Sequence, residues 1–464
     1  MKKYTITFLE KDYKKMTDHL FSNDQVEQAA YLLCRMSRLE TEDRLLVREV
    51  IPVSADDIFD ASATHMKIKP RSFIRAMGKA DNTEQCFVFV HTHPNGLNHH
   101  SSQDDAEEKK LFRTAYTRIH NQLIHASLVF TSPENMFGRV WLSDGDIQPI
   151  ERIRVIGERF KFHFSQMLNQ EIPNFYDRQV RAFGPEIQLL LSQLKVGIVG
   201  VGGTGSIIAE QLIRLGIGTI LISDGDHFNS SNINRVYGSR VIDNKLAKVK
   251  ITERLAADIG LGTEIEIIPH PITYETVIKK FRACDLIFGC TDDEWGRSIL
   301  NKFPAYYYIP VFDSGVKIDS DEGTINSIQG RVTTLLPSAA CLYCRGRITP
   351  DRIRYETMKA LDPERLKELI EEGYAPELQT PAPAVIPFTT NVGSSAISDF
   401  LHRLTGFKGA ERKSTEVIHL FDDTRVRTNN RSPLDECFCV DHNYWGRGDK
   451  IPFLDLTWRP NDIN

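Results

Sequence analysis

A chain of 464 residues is about three times the ~150 residues of a soft per-domain expectation, so two or three domains are predicted. Apolar residues at 41% against 26% charged place it among ordinary globular chains and exclude a wholly disordered one. With 57 Lys and Arg against 62 Asp and Glu, a net charge of −5, it carries no polybasic field, so neither nucleic acid nor anionic lipid is an expected partner. Glu10, Lys11 and Asp12 stand where a signal peptide needs an unbroken apolar stretch. The most apolar region, 196–222, is broken by five glycines before Ala209 and then by Glu210, Gln211 and Arg214, so no membrane span and a cytoplasmic location are expected.

The N-terminal part alternates short apolar runs with helical patterns: strand-like 4–9, an amphipathic stretch from Asp12, then runs at 29–35, 45–53, 86–90, 126–130 and 138–142. This predicts an α/β domain over residues 1–157. Residues 150–170 are charged and helix-favouring and predict a joining helix, with the second domain running over 158–464. There, 195–200 reads as a buried strand, followed by a glycine turn, an apolar-periodic helix with Ile207, Ile208, Leu212 and Ile213, and a strand at 219–223. Further strands at 265–268, 285–289 and 306–311 alternate with helices, which predicts a doubly wound, Rossmann-like, largely parallel sheet. Residues 351–375 predict a helical insert, with Asp362-Pro363 as cap and first-turn proline. A Pro-rich stretch from Thr380 precedes a helix at about 393–404, and no internal repeat is present.

The strand at 86–90 runs into His91-Thr92-His93-Pro94, and alternation in a strand turns both imidazoles to one face, where they can reach one metal. Ser101 follows eight residues after His93, and Asp104 three residues later opens a predicted helix. Two imidazoles and a carboxylate leave a fourth zinc position open for water, the layout of a hydrolytic site. His99, His100 and Asp105 are neighbouring alternatives off that spacing. The pattern His-x-His, seven residues, Ser, two residues, Asp resembles the JAMM/JAB metalloproteases, which cleave peptide or isopeptide bonds after a ubiquitin-like protein. The resemblance implies His91, His93 and Asp104 as zinc ligands and Ser101 as a hydrogen-bond donor to the oxyanion. It also implies Glu27, just before the apolar run 29–34, as general acid/base.

The turn with Gly200, Gly202, Gly203 and Gly205 lies between a strand and a helix, where backbone amides can face phosphate. Dinucleotide-binding enzymes carry the same turn, with an acid about where Asp224 stands. Beyond it come Asp224, Asn232, Arg235 and Lys248, suited to a triphosphate rather than to hydride transfer, and the strand at 285–289 ends in Asp292-Asp293, which can hold magnesium. This succession, over about residues 174–460, is similar to the ThiF/MoeB family and the adenylation domains of ubiquitin-activating enzymes. That resemblance implies ATP-dependent adenylation of the C-terminal glycine of a ubiquitin-like protein. Asp224 would hold the ribose, Asn232 and Arg235 the phosphates, Lys248 the α/β-phosphate region and Asp292 the magnesium ion. Phe175-Tyr-Asp-Arg178-Gln179 matches the family motif whose arginine enters the partner subunit's site, which implies a homodimer.

Eight cysteines are too dilute for a disulfide scaffold, and the close pairs Cys341/Cys344 and Cys437/Cys439 suggest a metal. They sit where many relatives hold a structural four-cysteine zinc, although the second pair here is Cys-x-Cys. Cys34, Cys86, Cys284 and Cys290 lie in or beside apolar runs and are expected in the core. Residues 374–391, where thioester-forming relatives carry their cysteine, contain none. The expected chemistry therefore stops at the adenylate or passes it to a sulfur carrier, a conjugating enzyme or an amine. Two other readings compete: a nicotinamide-dependent oxidoreductase with a metal-binding appendage, and an inactive scaffold that holds a modifier.

Overall fold

The computed structural model describes residues 2–23, 25–120, 123–165, 171–375, 383–409 and 415–456. Two units divide the chain: Met1–Asn169 with Tyr306–Tyr308 and Asn443–Phe453, and Gln170–Ala305 with Ile309–His442 and Leu454–Asn464.

The first unit runs β1 (Lys3–Leu9), α1 (Glu10–Leu20), β2 (Ala29–Arg38), β3 (Glu42–Pro52), β4 (Ile58–Ala61), β5 (Met66–Ile68) and α2 (Pro70–Asn82). It continues with β6 (Cys86–Thr92), α3 (Ser102–Arg118), β7 (His125–Ser132), β8 (Asn135–Trp141), β9 (Ile147–Ile156) and β10 (Lys161–Phe164). Among the described residues the sheet order is β1-β3-β2-β6-β7-β8-β9-β10, and β1 also pairs with β9, so the sheet closes on itself. β2 is buried on both faces, which is why it reads as an unbroken apolar run. Ala30, Leu32 and Cys34 join Tyr13, Met16 and Leu20 of α1 in one core. Ala29, Tyr31 and Leu33 join Ala76 and Met77 of α2 and Phe112 of α3 in the other. The strand period of two separates the sets.

The second unit opens with α4 (Asp177–Phe183), α5 (Pro185–Leu191), β11 (Lys195–Val199), α6 (Gly203–Leu215), β12 (Thr219–Ser223), α7 (Lys248–Ile259) and β13 (Glu264–Ile268). Then come α8 (Glu275–Phe281), β14 (Leu286–Gly289), α9 (Glu294–Leu300), α10 (Phe303–Tyr307), β15 (Val311–Asp321) and β16 (Thr324–Leu335). The rest is α11 (Pro350–Leu361), α12 (Pro363–Glu371), α13 (Ile386–Thr405), β17 (Glu416–Leu420) and β18 (Arg425–Thr428). Its sheet order is β13-β12-β11-β14-β15-β16-β17-β18. The chain winds outward from β11 to β13, then returns to place β14 on the other side of β11. That reversal makes a crevice at the carboxyl ends of β11 and β14, where open α/β sheets bind ligands.

Four expectations are corrected. Residues 150–156 are not helical but lie in β9, because Ile150, Ile153 and Val155 are β-branched core residues and β1 supplies a parallel partner. The end of that predicted helix, 166–170, lies outside the described residues. The sheet is mixed rather than largely parallel, since β16, β17 and β18 pair antiparallel. Residues 306–311 are not one strand: Tyr306 and Tyr307 end α10, and β15 begins only after Pro310, which has no N–H for a ladder. The helix expected at 393 starts at Ile386, with Pro387 in its first turn, where a missing N–H costs nothing. The Pro-rich stretch before it, and the cysteine-free segment 374–391, lie in part outside the described residues, at 376–382. No helix among the described residues is long and apolar enough to cross a membrane.

Candidate functional site

In β6, Phe87, Phe89 and His91 alternate onto the face covered by α2 and α3, and His93 follows on the same side. The imidazoles of His91 and His93 are buried, with their Nε2 atoms 3.2 Å apart. Asp104, on the first turn of α3, brings Oδ1 to 3.3 Å from His91 Nε2 and Oδ2 to 3.3 Å from His93 Nε2. Ligands at about 2.1 Å around a tetrahedral zinc stand about 3.4 Å apart, so these three side chains can hold one ion. The Leu97 carbonyl, 2.9 Å from His93 Nδ1, fixes the ring so that Nε2 faces the shared point. Burial would raise the Asp104 carboxyl, but hydrogen bonds to His91, His93 and Ser101 bring it well below the usual carboxylate range.

Glu27 lies two residues before Ala29, which pairs with His91 in the β2–β6 register, so the same register carried on sets Glu27 opposite His93. Its backbone N–H donates to the Ser62 carbonyl at 2.8 Å. Its carboxyl is raised, chiefly by burial and also by Asp104, against the lowering pull of His91 and His93. A carboxyl so placed is suited to exchanging protons.

Ser101 meets Asp104 directly. Its hydroxyl donates to Asp104 Oδ2 at 2.7 Å and accepts from the Asp104 N–H at 3.1 Å, forming a capping box at the start of α3. The alternatives on the same loop are engaged elsewhere or exposed. Asp105 pairs with Arg139, the His100 ring packs edge-on against Phe137, and His99 is exposed. Sequence reasoning missed Glu108, whose Oε2 accepts from Ser127, Arg139 and Trp141 and so anchors α3 under Asp104. One turn after Asp104 it reads as a solvated helix residue, and only the distant strands β7 and β8 make it a buried anchor.

At the second site, Gly200 has φ +86 and its added Cβ would meet the Cys290 carbonyl, while a Cβ on Gly205 would lie 1.8 Å from the Gly200 oxygen. Both glycines are therefore required by the turn itself. Gly202 is different: nothing lies within 4 Å of its Cβ position, and it begins α6 with no side-chain cap. Open space above uncapped helix amides, at the sheet's switch point, fits a phosphate group. Gly203 is flanked by Arg235 and Thr389. Gly202→Ala is accordingly expected to leave thermal stability unchanged and to weaken ATP binding about tenfold or more. Gly205→Ala should lower the melting temperature as well, and calorimetry with nucleotide titration separates the two.

Asp224 is largely occupied in holding the turn: Oδ2 accepts from Val201 N and Oδ1 from Asp226 N, each at 2.8 Å. Burial raises its carboxyl, and Lys248 pulls it back. Lys248 Nζ pairs with Asp226 at 2.7 Å. Asn232 is buried with its side-chain oxygen 3.3 Å from Asn229 N, which shapes the turn before Arg235, and Arg235 itself donates to the Ser231 carbonyl at 2.7 Å. Beyond β14, Asp293 is spent on capping α9, whereas Asp292 is exposed and takes no part in the cap. Arg178 is exposed on α4. Cys34, Cys86 and Cys284 are buried as expected, but Cys290, at the end of β14, is only partly so.

The four remaining cysteines converge. The Sγ separations are 3.7 Å for Cys341–Cys344, 3.5 Å for Cys341–Cys437 and 3.7 Å for Cys344–Cys439. Thiolates bound at about 2.3 Å around a tetrahedral ion stand about 3.8 Å apart, so these cysteines fit zinc and the Cys-x-Cys spacing is no obstacle. The Leu434 N–H donates to Cys344 Sγ at 3.3 Å, an outer contact of the kind thiolate sites carry.

The glycine turn, the acid beyond it and the exposed carboxylate at the next strand end belong to a doubly wound α/β unit, and the same chain carries a unit with a two-histidine, one-carboxylate cluster. Residues 176–438 match the ThiF family, and the chain belongs to it. Residues 9–142 match the family of prokaryotic homologs of the JAB domain, so the chain is a fusion of the two. Among curated proteins it is 26% identical over 216 residues to the adenylyltransferase and sulfurtransferase UBA4 of Meyerozyma guilliermondii, covering 43% of this chain and 50% of the relative. It is 27% identical over 173 residues to the sulfur carrier protein ThiS adenylyltransferase of Bacillus subtilis, covering 36% and 49%. The chain thus spans about half the length of these relatives. A crystal structure of E. coli MccB with MccA-N7isoASN aligns over 57% of this chain and 74% of that one, at 17% identity and a TM-score of 0.45.

Proposed function

We propose that the protein is a two-headed enzyme of a prokaryotic ubiquitin-like modification pathway. Its second unit adenylates the C-terminal glycine of a small ubiquitin-like protein with ATP, releasing pyrophosphate, and its first unit is a zinc (iso)peptidase that trims or removes the same modifier. The observation that carries the first activity is the open cradle at Gly202, with Arg235 against the neighbouring Gly203, in a ThiF-family chain. Attack of a carboxylate on the α-phosphate brings two anions together. Arg235 and Lys248 supply positive charge there, Asp224 takes the ribose and Asn232 shapes the turn beneath the phosphates. Asp292 holds magnesium. For the second activity, zinc at His91, His93 and Asp104 supplies Lewis-acid chemistry for hydrolysis. Glu27 moves the proton, and Ser101 keeps Asp104 in place. The cysteine cluster holds a structural zinc, and the two activities divide after β10, near residue 169 rather than 157.

The nicotinamide reading is disfavoured by the ThiF match and by the basic groups beyond the turn. Modifier-dependent exchange of pyrophosphate into ATP, with a β-grasp protein ending in glycine, is the deciding experiment. Copurified NAD without exchange would reverse the choice. Exposed Arg178 acts in this scheme on the ATP site of a second subunit in a homodimer, with a conjugating enzyme or sulfur donor downstream. Arg178→Ala and Asp292→Ala dimers should each be nearly inactive, and mixing the two under subunit exchange should recover about a quarter of wild-type exchange, because about half the dimers are then mixed and each of those has one good site of two. A mixture that forms mixed dimers yet stays inactive would remove Arg178 from this role.

A further inference from the structure

The start of α9 is held from the helical insert. Helix α9 follows directly on Thr291, Asp292 and Asp293, and its first N–H groups have no partners within the helix. Asp293 takes the N–H of Gly296. The other two are taken by Glu356, on the second turn of α11, whose Oε2 accepts from Glu294 N at 2.7 Å and Trp295 N at 2.9 Å. Glu356 is itself largely buried, and Arg352 Nε fixes its other oxygen at 2.8 Å. The arrangement is reciprocal, because Glu294 Oε2 accepts from the backbone N–H of Thr349, the cap residue of α11, at 2.7 Å. Residues 55 to 62 positions apart in sequence therefore exchange carboxylates across the N-termini of the two helices.

We propose that Glu356 is a positioning residue for the adenylation site: by capping α9 it fixes the turn that presents Asp292 at the carboxyl edge of β14. This rests on the reading of Asp292 as the magnesium-holding carboxylate. A carboxylate accepting two backbone N–H groups makes charge-assisted bonds that also complement the helix dipole. Without it the N–H groups of Glu294 and Trp295 exchange a protein partner for water, and Asp293 is left to hold the helix end of the four-residue link 290–293. Asp292 is exposed and takes no part in the cap, so its position follows that of the link.

The test is Mg2+-dependent binding of mant-ATP to the full chain, comparing wild type with Glu356→Ala, Glu356→Gln, Glu294→Ala and Asp292→Ala. Glu356→Ala is expected to raise the half-saturating Mg2+ concentration about tenfold. Glu356→Gln keeps an acceptor oxygen for the same N–H groups and should stay within about threefold. Glu294→Ala disturbs the packing of α9 on α11 without uncapping α9, and should match wild type. Equal shifts in Glu356→Ala and Glu294→Ala, or a Glu356→Ala protein identical to wild type while Asp292→Ala loses its Mg2+ response, overturns the positioning role alone. Wild type that binds mant-ATP without any Mg2+ dependence, or Asp292→Ala that matches wild type, overturns the reading of Asp292 and this proposal with it.

Discussion

Glu27→Ala is expected to lower peptidase turnover by about 10² to 10⁴ while zinc stays bound, because Glu27 moves protons and stands apart from the three side chains that converge on one point. Wild type and Glu27→Ala should each carry about two zinc ions per chain, one at the histidines and one at the cysteines, whereas His93→Ala should carry about one and be inactive. Metal analysis beside cleavage of a modifier fusion reads both quantities. A Glu27→Ala protein that has lost its first-unit zinc would place Glu27 among the ligands, and one that cleaves at the wild-type rate would end its role. Burial, with Asp104, raises the Glu27 carboxyl more than the imidazoles of His91 and His93 lower it.

Asp292→Ala should depress modifier-dependent ATP–pyrophosphate exchange by about 10² to 10³ and leave cleavage by the first unit unchanged. The reason lies in how the acids after β14 divide their work. Asp293 is committed to the N-terminus of α9, so removing it should damage folding of that helix, and Asp292 alone remains free to meet a cation. Equal loss of cleavage in Asp292→Ala would mean that the two chemistries share a centre.

Much of the architecture follows from local pattern. The run at 29–34 is apolar throughout because β2 is covered on both faces, and the glycines at 200 and 205 are demanded by a backbone that approaches itself too closely for a Cβ. His91, His93 and Asp104 could be proposed together because a strand period and a following helix cap are short-range rules. Where the pattern misled, the deciding partner was remote. Charged residues in 150–156 suggested a helix, yet β1, almost 150 residues earlier, offered those β-branched positions a ladder and a core.

The division between the two kinds of information is sharpest at the sites. Residue types and spacing picked out the two-histidine, one-carboxylate cluster, the glycine turn and the cysteine pairs, since each chemistry needs particular atoms at short intervals along the chain. Only the tertiary structure decided how those atoms are used. It turned the Ser101 hydroxyl onto Asp104, set Asp224 to hold the glycine turn, and left Asp292 open while Asp293 capped a helix. It also brought Glu108 and Glu356, which read as solvated helix residues, against backbone and side-chain donors far away in sequence. Hydrogen-bond partners are chosen by folding rather than by neighbours in the chain. A buried donor must find an acceptor wherever the packed elements place one.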